Sequence, residues 1–170
     1  MLRFIFRRSP PLRIGTICAC LSTLESSPGM FHWSIVVPIS QNDVISFDAV
    51  YGLTAAGMQW HFRNQRYTLR QSPSAIVVVR IGGITAENRL STLSEILENV
   101  PMDSAPEDAD LNFDCVAWFR HAVRTLHAKG FINCSDPIAL HKELQALALA
   151  QEPKTRRGKG YKYHISSVST

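Results

Sequence analysis

The sequence predicts an α+β fold, an antiparallel sheet packed against helices. Three features lead there. Apolar runs of strand length dominate the first half of the chain, helical stretches with clear start signals follow, and an alternating segment closes it. Strands grouped ahead of helices are not the regular strand–helix alternation of a parallel sheet.

The elements follow in order. Met1 to Leu24 holds four arginines (Arg3, Arg7, Arg8 and Arg13) and no acid, a composition shared with mitochondrial transit peptides and weak secretory signals. Pro10-Pro11 interrupts it, and Gly15, Thr16, Ser22 and Thr23 break its apolar stretch. The favoured reading is a first strand over Leu12–Leu21 behind an extension of residues 1–11. Ser26-Ser27-Pro28-Gly29 marks a turn, and Phe31–Pro38 and Val44–Val50 form a hairpin around Ser40-Gln41-Asn42-Asp43. Gly52–Gly57 reads as a loop and Trp60–Leu69 as extended. Ala75–Ile81 is a β-branched strand ended by Gly82-Gly83. Thr85-Ala86-Glu87 opens a helix with Leu90, Leu93, Ile96, Leu97 and Val100 on one face, and Pro101 stops it. After the acidic loop Met102–Leu111, a helix starts at Cys115, capped by Asn112 or Asp114 and stopped by Gly130. Ser135-Asp136-Pro137 leads into a helix over Ile138–Gln151. A linker, Glu152–Gly160, precedes a last strand, Tyr161–Ile165.

Composition narrows the function classes. The chain has 170 residues, 45% hydrophobic and 19% charged, which fits one globular domain over residues 12–170 and not a disordered chain. The net charge of +4 is modest and gathers at the two ends, against Glu107-Asp108-Ala109-Asp110 in the middle. The basic tail reads as a solvated loop in preference to a nucleic-acid interface. No stretch reaches the roughly eighteen apolar residues that a membrane span needs. The four cysteines form no Cys-x-x-Cys pair, and Cys18 and Cys20 are alternate residues of one strand, a poor disulfide geometry. A reducing compartment follows, cytoplasmic in preference to mitochondrial. Six histidines show no zinc spacing, and Gly82-Gly83-Ile84-Thr85 has no lysine where a phosphate loop requires one. No cofactor is expected.

One constellation carries chemistry. Cys115 in the first turn of its helix lies at the positive end of the dipole, where a thiolate is favoured. His32 begins the strand Phe31–Pro38. Its partner Val44–Val50 alternates so that Ile45, Phe47 and Ala49 face one way and Ser46 and Asp48 the other. Matching the apolar faces of the two strands puts residue 34 opposite residue 48, so Asp48 becomes a diagonal neighbour of His32. Asp48 can then orient the imidazole, with Ser46 further along the strand. The competing reading is a core cysteine, since Cys115 shares a helical stripe with Phe119, Ala122, Val123 and Leu126. Asp114 and the acidic loop also oppose a thiolate there.

The runs Phe31-His32-Trp33-Ser34-Ile35-Val36-Val37, Val44-Ile45-Ser46-Phe47-Asp48 and Cys115-Val116-Ala117-Trp118-Phe119, with Ala128-Lys129-Gly130-Phe131-Ile132 and Gly158-Lys159-Gly160-Tyr161, resemble a family of uncharacterised fungal proteins. The likeness runs from about Leu12 onward. The order of histidine strand and later cysteine helix also resembles the circularly permuted papain-like group that includes lecithin retinol acyltransferase-like and PPPDE-type proteins. That resemblance implies a permuted papain-like arrangement with Cys115 as nucleophile, His32 as base and Asp48 or Ser46 as third residue. It implies a thiol-dependent hydrolase or acyltransferase acting on an amide, ester or thioester of a small molecule or peptide. The chain departs from the acyltransferases at the nucleophile, where their Asn-Cys-Glu-His is replaced by Asp114-Cys115-Val116-Ala117. It also lacks their histidine on the second strand. The alternative is a domain that keeps the fold for binding without the chemistry.

Overall fold

The computed structural model describes residues 9–84, 89–109 and 112–170. Among them, β1 (Thr16–Thr23), β2 (Phe31–Pro38), β3 (Val44–Thr54), β4 (Gly57–Tyr67), β5 (Ala75–Gly83) and β6 (Lys162–Ile165) form one sheet in the order β4-β3-β2-β1-β5-β6. Neighbours are antiparallel except β5 and β6, which run parallel. Three helices accompany the sheet, α1 (Arg89–Glu98), α2 (Cys115–Ala128) and α3 (Pro137–Thr155). The architecture is α+β.

Strand alternation makes two cores. Ile17, Ala19 and Leu21 of β1, Trp33, Ile35 and Val37 of β2, and Phe47 and Ala49 of β3 pack with Leu93 and Leu97 of α1, Trp118, Phe119 and Val123 of α2, and Leu140 and Leu144 of α3. The intervening Cys18, Cys20, Val36, Val44 and Val78 form a second cluster with Leu12, Leu69 and Tyr161. β1 and β2 are therefore buried on both faces, which explains their nearly unbroken apolar sequences.

Several sequence expectations shift. The first strand starts at Thr16 and runs to Thr23; Leu12 is buried but pairs its amide with the carbonyl of Gln41 in the β2–β3 connection. The strand lies inside the sheet, flanked by β2 and β5. The expected loop over residues 52–57 is a hairpin instead, paired down to Thr54↔Gly57. The Thr54 hydroxyl closes that turn by donating to the Gly57 carbonyl and accepting from the Ala56 amide. Gly52 did not break the strand, since ladder hydrogen bonds need no side chain. Gly82 and Gly83 likewise continue β5. A Cβ on Gly82 would stand 2.5 Å from Cγ2 of Ile132 and 3.0 Å from the carbonyl oxygen of Phe131, so this glycine lets the chain after α2 close onto the sheet. α3 takes in the first residues of the expected linker and ends at Thr155, with Pro153 in its last turn. The start proposed for the first helix at Thr85-Ala86-Glu87 lies outside the described residues; Leu93, Leu97 and Val100 of its apolar face are buried as the periodicity requires.

α2 begins where a cap allows. The Asp114 carboxylate accepts from the amides of Val116 and Ala117 at 2.8 and 2.9 Å, and Gly130, at φ +72°, ends the run. Asp136 caps α3 in the same way, with Pro137 at its first position. α2 lies across β2 and β3, which brings its first turn to the site.

Two outcomes follow. Gly82→Ala should destabilise the domain by about 1–3 kcal/mol through overpacking against Ile132, measured by urea denaturation; a stability equal to that of the parent would contradict the close approach. A chain beginning at Ser27 loses a strand from the interior of the sheet, so circular dichroism should show no cooperative melt. A truncated protein melting like the full chain would mean that β1 is dispensable.

Candidate thiol site

Three elements converge on one ring. β2 and β3 pair from Pro38↔Val44 to Ile35↔Phe47, the register the matched apolar faces require. Towards its start β2 carries His32 past the last of these pairs, while β3 continues paired to β4. Across that divergence His32 Nε2 meets Asp48 Oδ2 at 2.6 Å. On the other side, β4 sets Arg63 opposite Asp48. Its guanidinium donates to both carboxylate oxygens, Nε to Oδ1 at 3.0 Å and Nη2 to Oδ2 at 2.7 Å. Asp48 is only 1% exposed, whereas the side chains of His32 and Arg63 are 24% and 39% exposed.

Cys115 completes the group from the first turn of α2. Its thiol sits against the carbonyl of Phe31, Sγ to O 3.9 Å, next in sequence to His32. The thiol also stands near enough to the His32 imidazole to influence its titration. Burial alone would lower the pKa of that ring. The hydrogen bond to Asp48, the neighbouring Cys115 thiol and the charges of both outweigh it and raise His32 from 6.5 to about 9. For Asp48, burial acts to raise the carboxyl, but His32 and Arg63 hold it below the ordinary carboxylate range.

The other thiols differ. Cys18, Cys20 and Cys134 are buried, Cys115 is half-buried, and all four are free. Burial pushes Cys18 up to about 11 and Cys20 up to about 12. Two of the acidic groups before the thiol are engaged elsewhere. Asp108 is buried and held by Arg120 and Arg124, and Asp114 is occupied as the cap of α2. Because Asp114 takes the Val116 and Ala117 amides, the Cys115 amide is the donor beside the thiol that no acceptor among the described residues engages. Ser46 faces Val36 and Gln65 across the ladders and is buried, one alternate position further from His32 than Asp48.

An aromatic wall adjoins the helix start. Phe113 stands edge-on to Trp60 at 5.6 Å, and Trp60 edge-on to Tyr51 at 5.6 Å. Trp33 and Trp118 belong to the core, each at most 2% exposed. His127 accepts the Cys134 amide near the end of α2, away from the thiol. Sequence reasoning missed Arg63. Its signal was present: a buried carboxylate needs a cation, and a two-residue turn at Ala55-Ala56 puts Arg63 opposite Asp48. Reading Gly52–Gly57 as a loop hid that register.

The chain belongs to a family of unknown function, DUF6540, whose profile matches residues 19–133. The matched span contains His32, Asp48, Arg63 and Cys115 and ends before α3. No curated protein and no solved structure matches the sequence.

The raised imidazole has a stability consequence. His32 stabilises the fold fully below its unfolded value of 6.5, and that contribution falls away as the pH rises through about 9. Stability of the parent should decline between these limits more than that of His32→Gln, as read from denaturation midpoints. Parallel curves would mean that the ring is not held by Asp48. Asp48→Ala should cost about 2 kcal/mol, because it strands two cations that can only partly rehydrate.

Proposed function

We propose that the site performs thiol-dependent acyl chemistry, hydrolysis or transfer on an amide, ester or thioester, within a permuted papain-like arrangement. One observation supports this above the others: an imidazole bonded by a buried carboxylate also meets the only half-buried thiol among the four cysteines, at a helix start. The order along the chain, His32, Asp48, then Cys115, adds to it. Family membership leaves the activity open, so the argument rests on chemistry.

In this mechanism Cys115 acts as thiolate beside a protonated His32. Its sulfur attacks the carbonyl carbon, and the amide of Cys115 donates to the developing oxyanion. With Nε2 engaged by Asp48, Nδ1 of His32 delivers the proton to the departing nitrogen, oxygen or sulfur. That step leaves an acyl-thioester on Cys115 and a neutral ring. The ring then takes a proton from water, or from an acceptor nucleophile, as it attacks the thioester; collapse returns the thiolate and the imidazolium. Arg63 keeps Asp48 ionised, so the carboxylate orients the ring without taking its proton. The Phe113–Trp60–Tyr51 wall offers an apolar flank for the acyl group.

A second reading, a binding domain without catalysis, draws on the Asp114 cap. It occupies two of the amides that could otherwise serve an oxyanion, and the Cys115 thiol faces a backbone carbonyl. Alkylation separates the two. Native protein treated with iodoacetamide near neutral pH and followed by mass spectrometry should modify Cys115 before the buried cysteines and faster than a free thiol. His32→Ala should slow this by about tenfold or more, because the imidazole that activates the sulfur is lost. His127→Gln, at the far end of the helix, should leave it unchanged. Modification of Cys115 only after denaturation would sink the catalytic mechanism and leave the binding domain.

A further inference from the structure

A cavity lies away from the thiol site, and no residue of that site lines it. With a volume of about 780 Å³, it opens where the chain before β1, the connection after β4 and the end of α3 meet. Its walls include Ser9, Arg70, Ser72, Thr155, Arg156 and Lys159. The size is that of a small-molecule pocket, typically about 300–1,000 Å³.

Thr155 points to what belongs there. It is 5% exposed, and its hydroxyl is buried without a hydrogen-bond partner. Buried hydroxyls are almost always paired in folded proteins. Thr155 lines the cavity, so rotation about its Cα–Cβ bond can bring the hydroxyl to a ligand atom.

Cations surround the same space. Arg70 donates Nε to the Ser9 carbonyl at 3.0 Å and Nη1 to the Asn42 side chain at 3.1 Å. Both partners are neutral, so the charge of Arg70 is uncompensated among the described residues. Arg156 gives Nε and Nη2 to Glu152, with Nη2 also reaching the Leu24 carbonyl. Among the described residues, Nη2 of Arg70 and Nη1 of Arg156 have no partner and remain for a ligand. Lys159 has no ion-pair partner among the described residues. The end of α3 brings an opposing partial charge of about half a unit. However, its carbonyls at Lys154 and Thr155 already accept from the amides of Lys159 and Gly158. Arg70 and Lys159 outweigh that remainder, the charge of Arg156 being matched by Glu152.

The walls are tied together. The Tyr161 hydroxyl donates to the Pro10 carbonyl at 2.8 Å, and Gln151 donates to the Gly160 carbonyl at 3.3 Å. With Arg70 on Ser9, these bonds fix the strap before β1 to the end of α3. The donors thus come from three segments held in place before any ligand arrives.

We propose that this cavity binds a phosphate-bearing small molecule, with the Thr155 hydroxyl donating to a phosphate oxygen, Arg70 and Lys159 balancing its charge and Nη1 of Arg156 donating beside them. A phosphate group presents three strong acceptor oxygens, enough for donors arriving from several sides. A carboxylate presents two in one plane. The volume exceeds what a lone phosphate fills, so the ligand carries a further moiety of nucleotide size.

The test is isothermal titration of the full chain with adenosine monophosphate and with inorganic pyrophosphate, using adenosine as the uncharged control. Both anions should bind, adenosine should not, and added salt should weaken the binding. Lys159→Gln and Thr155→Val should each weaken it by about tenfold, the loss of one charge-assisted hydrogen bond. Thr155→Val should melt no lower than the parent when no ligand is present, since the hydroxyl it removes has no internal partner. Cys115→Ala should bind as the parent does, which separates this cavity from the thiol site. Absence of binding at millimolar anion, equal binding of adenosine, or affinities untouched by both cavity substitutions would overturn the proposal.

Discussion

A carboxylate sealed inside a sheet has to be answered by positive charge, and Asp48 is answered from both sides. Moving such a group out of water costs several kcal/mol unless its oxygens are paired. Arg63 from β4 covers both oxygens, and His32 from β2 shares one of them. The result is a polar tie across three neighbouring strands, placed where the β2–β3 ladder ends. It also dictates the state of the imidazole. A ring held by an ionised carboxylate stays protonated well above neutrality, against the pull of its own burial. Arg63 matters here because it keeps the carboxylate charged without competing for the proton, guanidinium being protonated at every accessible pH.

The thiol reaches that ring through a different constraint, the packing of α2. The helix buries Trp118, Phe119, Ala122, Val123 and Leu126 without exposure, and these positions fix how it lies over β2 and β3. Cys115 continues the same stripe at the point where the core runs out, so it is half-buried while the residues behind it are sealed. The core reading and the reactive reading of this cysteine are thus less opposed than they first look. Its helical position is set by the core, and its surroundings are set by the end of the β2–β3 ladder.

What the sequence revealed depended on whether one strand or one helix sufficed to decide it. β2 was legible to the residue from its apolar run, and Asp136-Pro137 and Asp114 announced the helix starts through local chemistry. The placement of Asp48 diagonal to His32 followed from matching apolar faces, because a slip of one residue would have turned Phe47 to the wrong side. Arg63 required knowing that two alanines form a whole turn, and Gly52 and Gly57 argued locally for a loop. The interior position of β1 was hidden for another reason. Pairing with β5 joins Cys18 to Arg80 across sixty-one intervening positions, and no local pattern reports such a contact. The cavity at the end of α3 was equally invisible, since Ser9, Arg70 and Thr155 are distant in sequence and each looks like an ordinary surface residue.

The acidic segment before α2 shows why counting charges along the chain misleads. Glu107-Asp108-Ala109-Asp110 precedes the cysteine by a few residues, and as bare charge it would disfavour a thiolate. In the fold, Asp108 turns inward and is claimed by Arg120 and Arg124 from the flank of α2. Arg120 in turn meets Nδ1 of His141 on α3. That contact keeps His141 neutral: burial lowers its pKa first, and the neighbouring guanidinium lowers it further. The neutral ring then packs edge-on against Trp33 at 4.8 Å, beside His32 in sequence. So the same acidic loop that threatened the thiol supplies the anchor for α2 and α3 behind it. Two carboxylates, Asp48 and Asp108, play parallel parts: each is buried, each is doubly paired, and each fixes elements that meet near Cys115.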